Sequence, residues 1–273
     1  MEKPLVSIVI PCYNQGHYLQ EAVDSVLAST YENIEIIVVN DGSDLNIEGL
    51  SAQFPKTQII NQEKQGVCVA RNNAIENASG KYILPLDADD KIHPTYIEKA
   101  VNMLENNPKI GIVYCEAEFF GAKTGKWQLA EYKFPDCLYG NGIFVSVMYR
   151  KSDWEIGGGY KKEMTLGFED WEFWLTLIEN GVEVYKIPEI LFFYRQHDNS
   201  RSAELVKNVN SVIMLKQIMK LHPNLYIDNL EKILLPLQRQ LEYFSSRANY
   251  FSRIRFQVSK ILRKMLEIVS SIS

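Results

Sequence analysis

Asp87-Ala88-Asp89-Asp90 packs three carboxylates into four residues. Charges this close repel one another unless something offsets them. A hard divalent cation does so through oxygen ligands, which suit magnesium or manganese. A diphosphate needs the same offset for its own charge. The competing possibility is a solvated turn, with Asp90 near the positive end of a helix dipole. Position favours the cation. The cluster directly follows the apolar run 82–86, and two other polar clusters follow apolar runs in the same way: Pro11-Cys12-Tyr13-Asn14 and Asn40-Asp41-Gly42-Ser43. Asp-Gly-Ser alone is a common turn. In an open α/β sheet, however, ligands bind beyond the carboxyl ends of the strands. The three clusters should therefore converge on one edge, and metal and nucleotide binding is the consistent reading.

Two later segments add candidate groups. Glu169-Asp170-Trp171 opens a stretch in which Trp171, Trp174, Leu175 and Ile178 form an apolar stripe at helical spacing. Taken alone, its carboxylates suit the positive end of a helix and its tryptophans suit a core. Beside an acceptor pocket, Asp170 could instead act as a general base, since an apolar wall raises a carboxyl pKa. Glu169 or the tryptophans could position that acceptor. The second segment, Tyr194-Arg195-Gln196-His197-Asp198-Asn199-Ser200-Arg201-Ser202, surrounds a histidine with cationic and hydroxyl groups. That mixture suits a pyrophosphate and its cation.

Rival nucleotide motifs are missing. No G-x-G-x-x-G follows the first apolar run, where Pro11-Cys12-Tyr13-Asn14-Gln15-Gly16 stands instead, and no G-x-x-x-x-G-K-[ST] occurs.

The elements that must position these groups are legible as alternation. Apolar, β-branched runs at 5–10, 34–39, 58–60, 82–86 and 110–114 read as strands buried on both faces. Amphipathic stretches at 18–28, 67–77 and 94–105 read as helices, with Pro94 suited to a first turn. This alternation predicts an α/β fold with an open, mostly parallel sheet flanked by helices. The region 127–195 is more mixed. It carries Gly157, Gly158 and Gly159, a helix over 169–179, and two strands near 182–187 and 190–194. After Ser202 the pattern is helical, so the expected division is 1–202 for the sheet domain and 203–273 for a helical C-terminal extension.

Composition is that of a globular domain, 46% hydrophobic and 23% charged. A net charge of −5 argues against a general nucleic-acid partner. Cys12, Cys68, Cys115 and Cys137 show no C-x-x-C spacing, which suits neither zinc nor a redox motif and fits a reducing cytoplasm. The apolar run after Met1-Glu2-Lys3-Pro4 is too short for a signal peptide or a membrane span.

Val6-Ser7-Ile8-Val9-Ile10-Pro11-Cys12-Tyr13-Asn14, Val39-Asn40-Asp41-Gly42-Ser43, Ala70-Arg71-Asn72, Asp87-Ala88-Asp89-Asp90, Glu169-Asp170-Trp171 and Arg195-Gln196-His197 occur in that order. In this succession the chain closely resembles the family 2 inverting glycosyltransferases of the GT-A fold. Cys12, where the family often has a small residue, is a mild departure. The resemblance implies that Pro11, Tyr13, Asn14, Asp41, Arg71 and Asp87 bind a nucleotide sugar. Tyr13 would lie near the base plane, Asp41 would accept from the base, and Asp87 would contact ribose or sugar. Asp89 would hold a divalent cation, Mn2+ or Mg2+, which His197 approaches. Asp170 would be the catalytic base, with Glu169 and Trp171 on the acceptor side.

The implied activity is inverting hexosyl transfer from a nucleoside-diphosphate sugar, UDP being the expected nucleotide, to a hydroxyl of a glycan or lipid-linked glycan. Cell-envelope polysaccharide biosynthesis is the family-level setting. Transfer to a polyprenyl phosphate is one alternative. A nucleotide-sugar-binding module without catalysis is another, and retention of both the aspartate cluster and Glu169-Asp170 argues against it.

The tail lies outside these motifs. Phe251, Ile254, Val258, Ile261, Leu262, Met265 and Ile268 recur at helical spacing among Arg247, Arg253, Arg255, Lys260, Arg263 and Lys264. A basic amphipathic helix can lie on an anionic membrane, which would put the protein at the inner face of the membrane. Packing on the body or in a dimer is the alternative.

Overall fold

The computed structural model describes residues 3–43, 54, 57–197 and 209–247. Strand β1 (Val6–Cys12) is buried along its whole length. It lies between β2 (Ile34–Asp41) and β4 (Tyr82–Pro85), both parallel to it, and β3 (Thr57–Gln62) adds to β2, also in parallel. The near-continuous runs of Val and Ile are what burial on both faces demands. Helix α1 (Leu19–Leu27) supplies Leu19, Ala22, Val23 and Val26 to the core, and α2 (Val67–Glu76) supplies Cys68, Ala70, Ala74 and Ile75. The register pairs Cys12 with Asn40 and Asp41 with Gln62. The carboxyl ends of β1, β2 and β4 therefore open on one edge, as the spacing of the polar clusters required.

Past β4 the sheet becomes mixed. Its order is β3-β2-β1-β4, then β8 (Met148–Arg150), β6 (Ile110–Gly121), β9 (Glu183–Gln196) and β5 (Lys91–Ile92), with β7 (Gly125–Trp127) attached to β6. β8 runs antiparallel to both β4 and β6, while β9 is parallel to β6. The short β5 follows the aspartate cluster and pairs antiparallel with β9. Helices α3 (Tyr96–Asn106), α4 (Lys151–Gly157) and α5 (Glu169–Glu179) complete this half.

The two strands expected at 182–187 and 190–194 are one strand here, β9. Pro188 explains the misreading. Its missing N–H cannot join a ladder, but the register shifts between Cys115 and Glu116, whose partners are Ile187 and Ile190, so Pro188 sits in a bulge. β8 and α4 are too short to carry a period of their own. The glycines read as a loop end α4: Gly158 caps it at φ +69°. Gly159 follows at φ +68°, where a Cβ would lie 2.8 Å from Asn72 Oδ1. All four cysteines are free and buried.

The described part of the C-terminal extension is α6 (Val209–Leu221), α7 (Pro223–Asp228) and α8 (Leu230–Arg247). Pro223 occupies the first turn of α7, where its missing N–H costs nothing. These helices dock on the sheet domain. Tyr226 donates to the Leu138 carbonyl at 2.6 Å, and His222 contacts Glu179 at 2.7 Å and Glu172 at 3.3 Å. No helix among the described residues is long and apolar enough to cross a membrane. The basic stretch after residue 247 and the expected boundary at 202 lie outside the described residues.

His222 and Glu172 are both buried. Burial alone would lower the imidazole pKa, but the hydrogen bonds to Glu172 and Glu179 outweigh it and hold the group above its ordinary value. A raised histidine contributes stability below its unfolded pKa and loses it as pH rises through the folded one. His222→Ala, which strips a buried carboxylate of its cation, should therefore cost roughly 3 kcal/mol near pH 6. That gap should narrow at alkaline pH. Urea unfolding of both proteins across that range checks this, and a pH-independent gap would contradict it.

Candidate active site

The polar clusters meet through hydrogen bonds between their own members. The Asn14 backbone, at φ +55°, donates to Ser43 Oγ at 2.7 Å. Asn40 closes its turn by accepting from the Ser43 N–H at 2.9 Å and donating to the Ser43 carbonyl. Gly42, at φ +76°, leaves room for the neighbouring chain, since a Cβ there would stand 2.6 Å from the Lys64 backbone nitrogen. Lys64 in turn sets its ammonium 4.0 Å from the centre of the Tyr13 ring, which is 40% exposed. Tyr13 is thus an open aromatic face with a cation beside it, and Pro11 lies buried in β1 behind it.

Asp41 is 3% exposed, and its carboxylate is already engaged. Oδ1 accepts from Gln62 Nε2 and from the Gln65 N–H at 2.8 Å each, and Oδ2 accepts from the Gly66 N–H at 2.9 Å. It therefore fixes the backbone entering α2, where a carboxylate also meets the positive end of the helix.

The aspartate cluster turns tightly, with the Asp90 N–H donating to the Asp87 carbonyl at 3.0 Å. Its three carboxyls have different surroundings. Asp87 Oδ1 accepts from Arg71 Nη2 at 2.8 Å. Asp89 Oδ2 lies 2.7 Å from His197 Nε2. Burial, and then the neighbouring Asp87 charge, push the Asp89 carboxyl above its usual range, against the pull of His197. Asp90 is fully buried; Oδ1 accepts from the Arg195 N–H at 2.8 Å, and Oδ2 has no hydrogen-bond partner among the described residues. Burial, and then the adjacent Asp89 and Asp87 carboxylates, push the Asp90 carboxyl well above the usual range, and its hydrogen bond to the Arg195 N–H joins the cluster to β9.

Arg195 strengthens that joint. Its guanidinium lies between the Tyr18 and Phe120 rings, 4.4 and 4.3 Å from their centres. Nε donates to the Asp89 carbonyl and Nη2 to Glu21, at 2.9 Å each. The sequence reading grouped Arg195 with a pyrophosphate site; in the fold its charge is taken up by Glu21 and two aromatic rings.

Arg71 connects the two halves of the site. It is 2% exposed, and Nη1 donates to Glu169 Oε1 at 2.8 Å while Nη2 holds Asp87. The cluster after β4 and the start of α5 are therefore tied through one guanidinium. Next to Glu169, Asp170 accepts from the Trp171 N–H at 2.7 Å and from Asn141 Nδ2 at 3.2 Å. Burial, and then the Glu169 charge, raise the Asp170 carboxyl to about 7. A carboxyl near neutrality can take a proton efficiently at neutral pH. Trp171 is only 5% exposed and donates to the Cys137 carbonyl at 2.7 Å, so it belongs to the core under the site.

Sequence reasoning missed Lys64, Glu21 and Asn141. None sits in a motif, and each meets its partner only through the fold.

Among the described residues no group of three or more His, Cys, Asp or Glu side chains is arranged to hold a metal alone. Asp89 and His197 nevertheless fit a shared cation. One carboxylate and one imidazole are two ligands, so a cation held there would need its remaining ligands from a bound molecule.

The model for glycosyl transferase family 2 matches residues 7–165, more than half of the chain. An uncharacterized glycosyltransferase of Rickettsia typhi is 34% identical over 213 residues, covering 71% of this chain and 65% of that protein. The chain spans still less, 39%, of a Rickettsia prowazekii relative. In structure it is similar to S. aureus TarS in complex with UDP-GlcNAc, with TM-score 0.68, 15% identity, and coverage of 81% of this chain and 66% of that one. It is also similar to the mannosyltransferase PcManGT from Pyrobaculum calidifontis in complex with GDP-Man and Mn2+. There the TM-score is 0.62 at 15% identity, covering 99% and 85% of the two chains. At that identity the likeness is one of fold.

Proposed function

This chain belongs to glycosyl transferase family 2, and from that premise we propose that it is an inverting hexosyltransferase. It takes a sugar from a nucleoside-diphosphate sugar and places it on an acceptor hydroxyl of a glycan or lipid-linked glycan. The observation that carries this reading is Asp170, a carboxyl raised to about 7 and linked by Glu169 and Arg71 to the aspartate cluster.

The mechanism assigns each residue a task. Tyr13, with Lys64 beside it, offers the open face for the base. Asp87, oriented by Arg71, receives the ribose or sugar hydroxyls. Asp89 and His197 would hold a divalent cation, whose chemistry when bound would be to neutralise negative charge on the leaving diphosphate. Asp170 removes the proton from the acceptor hydroxyl. The resulting oxygen attacks the anomeric carbon from the face opposite the diphosphate, so the C–O bond to the diphosphate breaks as the new glycosidic bond forms, with inversion.

The TarS complex with UDP-GlcNAc favours a uridine nucleotide, and the PcManGT complex with GDP-Man keeps guanosine in the test. Isothermal titration of UDP, GDP and dTDP, each with and without Mn2+, separates them. UDP should bind most tightly and only with the cation. Asp89→Ala should weaken cation-dependent binding by at least about tenfold, a loss that follows even from removing a residue that merely orients a metal ligand. Equal affinity with and without Mn2+, or an unaffected Asp89→Ala protein, would count against the assignment.

A further inference from the structure

Asp170 lies in the first turn of α5, and each of its carboxylate oxygens receives one hydrogen bond. Oδ1 is held by the Trp171 N–H and is fixed by the helix itself. Oδ2 is held by Asn141, an exposed residue of the loop before β8, 29 positions away in sequence. The orientation of that amide is determined. Asn141 Oδ1 accepts from the Ile143 N–H at 3.2 Å, in the manner of an Asx turn, so Nδ2 must face the carboxylate. Ile143 and Phe144 are buried, which anchors the turn from behind.

We propose that Asn141 is the positioning residue for Asp170, fixing Oδ2 of its carboxylate from the exposed loop before β8. This rests on Asp170 being the catalytic base. Glu169 adjoins Asp170 on its own helix, Arg71 approaches from α2, and Tyr160 from the loop after α4. Glu169 disfavours the charged base, whereas Arg71, the Trp171 N–H and Asn141 favour it. Arg71 is committed to Asp87 and Glu169, and the Trp171 N–H is backbone. Asn141 is thus the side chain whose contact with the base is not shared with the donor half of the site.

The test needs neither donor nor acceptor. Protein labelled with 13C at aspartate carboxyls is titrated by NMR, with Asp170→Asn identifying the Asp170 signal. Asn141→Ser is the decisive variant. Its hydroxyl can still accept from the Ile143 N–H and keep the turn, but cannot reach Asp170. The Asp170 midpoint should move up by about one pH unit, the worth of one lost hydrogen bond to a charged group. Asn141→Asp, which keeps the turn and adds a like charge, should move it further. An Asp170 midpoint in Asn141→Ser equal to that of the unaltered protein would overturn the proposal and leave Asn141 a turn residue. Retained turnover in Asp170→Asn is a separate result that removes Asp170 as the base, whatever the titration shows.

Discussion

Replacing Asp170 by asparagine should cut sugar transfer by about 10²–10⁴-fold, the usual worth of a positioned general base. Nucleotide binding should survive, because Asp170 touches neither Asp87, Asp89 nor Arg71 through any hydrogen bond in the site. The unaltered enzyme should gain activity as pH rises through about 7, where the Asp170 carboxyl loses its proton. Asparagine cannot show that limb. Stability gives an independent sign. An acid whose folded pKa exceeds its unfolded value holds its proton more tightly when folded, so stability falls as pH rises from the unfolded value to the folded one. Above pH 7, Asp170→Asn should therefore melt no lower than the unaltered protein, and should melt higher if Asn141 accommodates the new amide. Radiolabelled transfer and thermal melts at pH 8 measure both. Near-normal turnover would remove Asp170 as the base.

The parts of this fold that were legible are those with a period. β1 and β2 announce themselves as nearly continuous apolar runs, and α5 matches its expected span of 169–179 because its apolar stripe holds to the helical repeat. β8 has three residues and α4 seven, too few for any pattern to stand above chance. The convergence of the polar clusters was equally legible, since parallel strands must release their carboxyl ends on the same edge. The pairings inside the site were not. Arg71 finds partners 16 and 98 positions away, and Asp89 finds His197 at 108. Residue types predicted who could interact, but the packing of α2 against β1 and β2 chose the partners of Arg71, and the pairing of β5 with β9 brought His197 to Asp89. Trp171 shows the limit from the other side. Its stripe suited a core, its neighbours suited an acceptor site, and the fold buries it.

Arg71→Met should be the most damaging substitution for the fold itself. The arginine is 2% exposed and answers two carboxylates at once. Removing one member of such a buried group strands the others, at a cost of roughly 3–5 kcal/mol. In a domain of this size that corresponds to a fall of about 10 °C in Tm. Lysine should restore only part of it, because one compact ammonium cannot extend two separated N–H groups to Asp87 and Glu169. The cause can be isolated. If stranded charge is responsible, adding Asp87→Asn and Glu169→Gln to Arg71→Met should recover much of the lost stability, although each alone disturbs the site. If lost packing against the Tyr160 ring, 5.5 Å from the guanidinium carbon, is responsible, the triple variant should remain as unstable as the single one. The same substitution should also reach Asp170. Arg71 favours its charged form and Glu169 opposes it, so a protein lacking the guanidinium should hold the base protonated to higher pH. The acidic limb of its residual activity should then lie above about 7. A limb that stays in place would mean that Arg71 supports the fold without setting the base.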